Sequence, residues 1–253
     1  MIESTTILLR HVGDRIAIDG DYQLRAIREG IAPQRFWHEA KLREAQRWVD
    51  PRPGEVILDV GCGSGVLAAR IAAVPGVRVI GIDGNCAAID FASRHHRLPN
   101  LEFRHGLVDE LPIDPGSIDK IAFLEVIEHI YVHQALDVLR CFHRILKPGG
   151  RAVISTPNVR SLWPVIEWLM DALRLAPRMA DDQHVAFYDR RTLAEIAGRA
   201  GLRLVAHRTV NFAAPWIAAL SWRMAEAVHR LETTRSQPFG SLLIMTFVKT
   251  TDA

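Results

Sequence analysis

The sequence predicts an α/β protein with a doubly wound, mostly parallel sheet of seven strands, on three observations. Short apolar runs bounded by turn residues recur along the chain, they alternate with stretches of helical periodicity, and a glycine-rich bend stands at the first junction of a strand and a helix. The 253 residues, 49% hydrophobic and 24% charged, suffice for one large domain with a substantial core.

Two helices come first, near Tyr22–Glu29 and over residues 34–49, the second stopped by Asp50-Pro51-Arg52-Pro53-Gly54. Residues 55–60 then read as a buried parallel strand, followed by a glycine loop and a helix at 66–73. The alternation continues with a strand at 77–82, a helix at Cys86–His95, and strands at Leu101–His105 and Ile118–Leu124. A helix at 134–146 ends in Lys147-Pro148-Gly149-Gly150, a cation and a Pro-Gly stop, and strand 151–155 follows. Later come an amphipathic helix at 161–175, a helix at 192–200, a strand at 202–210, an apolar insertion at 211–231 and a last strand at 241–249. The expected division is an N-terminal helical lid (1–50) and one domain (51–253) with helical insertions near 157–189 and 211–238.

Composition excludes several classes. A net charge of +2 is not the footprint of a dedicated nucleic-acid binder, so no DNA partner is expected. Three cysteines without paired or metal-like spacing predict a reducing, cytoplasmic setting. The N-terminus lacks the pattern of a signal peptide, and no window approaches the roughly 20 apolar residues that span a bilayer.

The chemistry concentrates at strand ends. Asp59-Val60-Gly61-Cys62-Gly63-Ser64-Gly65 lies where a nucleotide binds in such sheets, because glycine lets backbone approach a ligand or take a positive φ. Asp83, followed by Gly84, falls 22 positions after Gly61, where a carboxylate can accept both ribose hydroxyls of an adenosine. The loop reads G-x-G-x-G rather than G-x-G-x-x-G, which argues against a dinucleotide and so against an NAD-dependent oxidoreductase. After the fourth strand, Leu124-Glu125-Val126-Ile127-Glu128-His129 would place Glu125, Glu128 and His129 on one face of a helical turn. Three roles stay open for them: shaping a pocket, general-base work by His129 with Glu128, or divalent-metal binding, with His184 as a fourth member.

The run VILDVGCGSG, followed by Asp83 and LKPGG, resembles the Rossmann-like class I S-adenosylmethionine-dependent methyltransferases. That resemblance implies a terminal antiparallel hairpin and a glycine loop that receives the amino-acid part of S-adenosylmethionine. It implies cofactor contacts at Asp59, Gly61, Cys62, Gly63, Asp83 and Gly84, with Leu124 and Glu125 near the sulfonium. It also implies adenine contacts from Leu107 and Val108, in a loop where Leu107 replaces the family's usual acidic residue. Glu125, Val126, Ile127, Glu128 and His129, with Ser155–Asn158, are similar to the ubiquinone-biosynthesis O-methyltransferases, whose matching residues are associated with a divalent cation. A related turn occurs in small-RNA 2′-O-methyltransferases.

The expected reaction is methyl transfer to a hydroxyl of a small apolar, aromatic or lipid-like acceptor. The rivals are a non-catalytic S-adenosylmethionine-binding partner subunit and an RNA 2′-O-methyltransferase. Phe36, Trp37, Trp163, Trp168, Met170, Phe212, Trp216, Trp222 and Met224 read either as helix packing or as an apolar acceptor wall, with peripheral membrane contact as a further use. Trp37-His38 is the expected lid contact. His95-His96, beside Arg94 and Arg97, reads as a solvated helix end. Oligomeric state cannot be read from the chain.

Overall fold

A computed structural model describes residues 19–161, 185–234 and 238–250. Helices α1 (Tyr22–Glu29) and α2 (Ala32–Val49) precede the sheet. The alternating part runs β1 (Val56–Val60), α3 (Val66–Ala72), β2 (Arg78–Asp83), α4 (Cys86–His95), β3 (Leu101–His105) and β4 (Ile118–Leu124). A 3-10 turn (Ile127–His129) leads to α5 (Val132–Ile145) and β5 (Leu146–Pro157). The rest comprises α6 (Arg190–Arg199), β6 (Leu202–Val210), α7 (Ala214–Ile217), α8 (Trp222–Thr234) and β7 (Leu242–Lys249).

The seven strands lie in the order β3-β2-β1-β4-β5-β7-β6. All pairings from β3 to β5 are parallel, and β7 runs antiparallel to both β5 and β6. The expected hairpin is therefore present, with its last strand slotted between β5 and β6. The chain order reverses between β1 and β4, which makes the crevice beyond their carboxyl ends the natural ligand position.

Strand periodicity sorts the core. Leu58, Val60, Ile80, Ile82, Ile121 and Phe123 face α5 and α6, whereas Ile57, Val79, Ala122 and Val153 face α2 and α3. Successive side chains of a strand leave on opposite faces, so strands apolar at every position bury both. A third cluster joins Phe36 and Ala40 of α2 to Ala214, Ala218 and Ala225 of α7 and α8. The Phe36 and Trp222 rings meet edge to face at 5.0 Å, so these two residues are packing, as one of the two sequence readings had it. The predicted helix at 161–175, with Trp163, Trp168 and Met170, and the candidate His184 lie outside the described residues.

Several ends differ from expectation for local reasons. Helix α5 starts at Val132, two residues early, because the Gln134 side chain accepts the Tyr131 N–H at 3.0 Å and closes the first turn. Strand β5 extends back through the Lys147–Gly150 segment, because Leu146 pairs with Ile118 ahead of the irregularity there.

Candidate active site

Glycine conformation builds the first wall. Gly61, Gly63 and Gly65 take φ of 71°, 52° and 75°, a region that costs other residues dearly. The bend is tied to the end of β2, since Gly61 N and Cys62 N donate to Ile82 O at 2.8 and 3.0 Å. At Gly61 an added Cβ would stand 2.2 Å from Val126 Cγ2, so the glycine loop and the turn after β4 press directly on each other. Cys62 offers the site only backbone, for its buried side chain points beneath the bend, toward Gly81. Gln23 of α1 lies over the bend, with its Oε1 3.4 Å from Ser64 Oγ.

Asp83 sits at the tip of β2, half-buried. Its Oδ2 accepts Gly63 N–H at 2.7 Å and its Oδ1 accepts Asn85 N–H at 2.8 Å. The carboxylate thus ties the glycine loop to the start of α4, where Asn85 caps the Ala87 and Ala88 amides. Burial raises its pKa, partly offset by those two amides.

Asp59, one strand over, is buried, and its Oδ2 has no hydrogen-bond partner among the described residues. Burial and the nearby Asp83 charge push its pKa up to about 7. An orphaned buried carboxylate beside an open glycine bend fits the cationic amino group of a methionyl tail, and Asp83 fits a ribose diol. The residues present therefore suit S-adenosylmethionine.

Beyond β3, Leu107 reaches over Gly84, its Cδ2 3.2 Å from where a Cβ would stand. Val108 is buried, and its carbonyl accepts from Cys141 Sγ at 3.6 Å. Leu124 is half-buried at the end of β4 and pairs in register with Ser155.

The Glu-x-x-Glu-His segment differs from the single helical face expected. Glu125 stands before the 3-10 turn in left-handed backbone, φ 56°, because the chain must reverse direction as it leaves the strand. Its Oε1 accepts from Ser155 Oγ at 2.9 Å. Glu128 is 2% exposed, with Oε2 lacking a hydrogen-bond partner among the described residues. Burial, then the Glu125 charge, raises the Glu128 pKa well above the usual carboxylate range. His129 is half-buried beside it, and the Glu128 carbonyl accepts the amides of Val185 and Ala186 at 2.9 and 3.1 Å. Among the described residues, no group of three or more His, Cys, Asp or Glu could hold a metal ion.

Three residues escaped the sequence reading. Lys41 of α2 is buried, its Nζ 4.6 Å from the centre of the Trp37 ring, and burial lowers its pKa, partly offset by the Glu125 and Glu128 charges. Tyr188 is buried, with no hydrogen-bond partner for its hydroxyl among the described residues, its pKa pushed up to about 12 by burial and by Glu128. His96, expected to be solvated, is half-buried, with its Nε2 3.0 Å from Ser64 O, so it steadies the glycine bend. A lysine in the middle of an otherwise ordinary helix carries no signal of burial, although its i, i+4 spacing from Trp37 was visible.

Trp37 and His38, expected as a lid contact, are both tied into the fold. Trp37 Nε1 donates to Ser241 Oγ at 2.9 Å, and Asn211 Nδ2 donates to the Trp37 carbonyl at 3.1 Å. His38 is buried, and burial with the Lys41 charge lowers its pKa to about 3. It is therefore a neutral ring.

Comparison with known proteins agrees with this geometry. Residues 31–207 match the methyltransferase domain family. The chain is 35% identical over 164 residues to a ubiquinone biosynthesis O-methyltransferase of Thiobacillus denitrificans, covering 62% of this chain and 69% of that protein. It is 39% identical over 129 residues to a "Probable S-adenosylmethionine-dependent methyltransferase" of Mycolicibacterium smegmatis; the match covers 51% of this chain and 48%, about half, of that relative's length. In fold it is similar to the geranyl diphosphate C-methyltransferase of Streptomyces coelicolor A3(2), with TM-score 0.60, 19% identity and coverage of 94% and 84%. Among the described residues no helix is long and apolar enough to cross a membrane. By family match and by fold, the chain belongs to the class I S-adenosylmethionine-dependent methyltransferases.

Proposed function

We propose that this chain transfers the methyl group of S-adenosylmethionine to a hydroxyl oxygen of a small apolar, aromatic or lipid-like acceptor. The observation that carries the reading is the placement of Asp59, Asp83 and the Gly61–Gly65 bend at one end of the sheet, pressed against the turn that holds Glu125, Glu128 and His129. Similarity to a ubiquinone biosynthesis O-methyltransferase supports oxygen as the receiving atom. No observation favours a non-catalytic partner subunit, and the net charge of +2 makes RNA the weaker acceptor class.

The bound cofactor supplies a methyl group already activated on a sulfonium. The protein's work is to align the acceptor, exclude water and take up one proton. Asp83 orients the ribose and Asp59 the amino group. We assign proton removal from the acceptor hydroxyl to His129, the half-buried imidazole beside Glu128. His129→Ala should lower kcat about a hundredfold and leave S-adenosylhomocysteine affinity within about twofold. Unchanged turnover with the true acceptor removes the base role. The acceptor class is tested by labelled-methyl transfer to alkylated phenols, catechols and RNA. Methyl ethers from the apolar phenols are expected, and label only on carbon or in RNA refutes the reading.

Asp59 makes cofactor binding depend on pH. In the ligand-free protein it is protonated below about 7. A neighbouring ammonium group favours the ionised form, so binding expels a proton and weakens as pH falls from 8 to 5, by at most about tenfold per unit. Calorimetry in two buffers of different ionisation enthalpy should detect that proton, and Asp59→Asn should flatten the profile. The stability sign is opposite. A folded-state pKa raised from 3.8 means the folded protein binds more protons, so Asp59's contribution is full below about 4 and is lost as pH rises through about 7.

A further inference from the structure

The α7–α8 insertion turns its acidic side chains inward and several of its large apolar ones outward. It leaves from the end of β6 and returns to the start of β7, so it stands at the end of the sheet that carries the glycine bend. Its inner side closes on α2, where Phe36 meets the Trp222 and His229 rings and Arg43 pairs with Glu226 at 3.0 Å. On α8 the buried residues Ala225, His229, Glu232 and Thr233 recur at helical spacing and define that inner face.

The opposite face is apolar and exposed. Leu220, at the corner before α8, is 89% exposed, Met224 59% and Leu231 61%. With exposed Ala227 they fall at i, i+4, i+7 and i+11, a single stripe along the helix. Trp216 and Trp222 flank the corner, each with part of its ring in solvent. Large apolar side chains gathered in one stripe mark an interaction surface, which scattered ones do not.

The charges choose the occupant. Besides His229, residues 211–234 carry four charged side chains: Arg223, Glu226, Arg230 and Glu232. Glu226 is held by Arg43, and buried Glu232 accepts the amides of Phe212, Ala213 and Ala214 at 3.2, 2.7 and 3.1 Å. Exposed Arg223 and Arg230 line one flank of the stripe, and Arg35 of α2 lies over the Trp222 ring, 5.9 Å from its centre. An antiparallel pairing of α8 with a second copy of the chain would set arginine against arginine along that flank. Anionic headgroups match it instead, since arginines meet phosphate while leucine, methionine and indole sink below. Thirteen residues are too few to cross a bilayer, so α8 fits along its surface.

We propose that the outward face of the α7–α8 insertion docks on an anionic lipid bilayer, with Leu220 as the inserted tip. This goes beyond the methyl-transfer reading and does not rest on it, because vesicle binding needs neither cofactor nor acceptor.

The test is co-sedimentation of the full chain with sucrose-loaded vesicles of phosphatidylcholine and phosphatidylglycerol in equal parts, at about 0.1 M salt. Wild type should pellet with these vesicles and bind pure phosphatidylcholine about tenfold more weakly or worse. Leu220→Glu with Leu231→Glu should lower the partition coefficient about a hundredfold or more. Arg223→Gln with Arg230→Gln should lower it about thirtyfold, since each arginine near an anionic surface contributes about fivefold. Wild type left in the supernatant overturns the proposal, as does equal binding to the two vesicles. Either double variant pelleting like wild type overturns it too. So does a wild-type dimer in sedimentation velocity that Leu220→Glu splits, which gives the face to a second copy. Should the leucine pair fail to fold by circular dichroism, the arginine pair decides alone. Wild type that pellets but binds no S-adenosylhomocysteine counts against the function proposed above and leaves the docking surface standing.

Discussion

Asp83→Ala should weaken S-adenosylhomocysteine binding about a thousandfold, measured by calorimetry at pH 8, with circular dichroism unchanged. Two ribose hydroxyls donating to an ionised carboxylate are worth about 1.5–3 kcal/mol each. Removing the acceptor forfeits both, and about 4 kcal/mol corresponds to that factor. The loss has a second component. Asp83 accepts the Gly63 and Asn85 amides, so without it the glycine bend is no longer tied to β2 by a side chain. Asp83→Asn offers a closer control, because the amide nitrogen cannot accept, and one of the two backbone donors must lose its partner. A loss below about tenfold in the alanine variant would show that the ribose lies elsewhere.

Gly65→Ala should destabilise the ligand-free protein by about 3 kcal/mol. Gly65 caps α3 with φ 75°, which costs an L-residue about 1–2 kcal/mol. The new methyl would stand 2.6 and 2.8 Å from two carbons of the Phe103 ring and 2.9 Å from Ala92 Cβ. The ring cannot retreat, for its other atoms already fill the place where Gly81 has no side chain. Overpacking of this kind adds about 1–3 kcal/mol. For a chain of this size the change should lower the melting temperature by about 10 °C. Gly63→Ala, where an added Cβ would meet only the end of the Gln23 side chain at 4.0 Å, should cost only its backbone strain. Equal losses at the two positions would contradict the packing argument.

Most of the sheet was legible because the inner strands β1, β2, β4 and β7 carry runs of apolar residues, and the outer strands β3 and β6 open by alternating apolar with polar ones. Leu101–His105, Ile118–Leu124 and Leu202–Val210 begin and end where the pattern placed them. The cofactor half of the site was legible for a related reason: positive φ demands glycine, so backbone shape is written in residue type at Gly61, Gly63 and Gly65. The other half was not. Glu125 takes left-handed backbone, a conformation glutamate does not advertise, and so it left the helical face assigned to it. Lys41, Tyr188 and His96 act through burial and long-range approach, which spacing along the chain does not encode. His96 sits 32 residues from the Ser64 carbonyl beside its ring.

The position of β7 has a consequence for how the molecule assembles. Its partners precede it in the chain: Arg151 pairs with Val248, and among the described strands β6 is hydrogen-bonded only to β7. The parallel part can therefore condense first, while β5 presents a bare, strongly apolar edge that only residues 242–249 will cover. During synthesis that edge is the place where one nascent chain would stick to another, and shielding it by a chaperone or by slow translation would matter more than any property of the catalytic end.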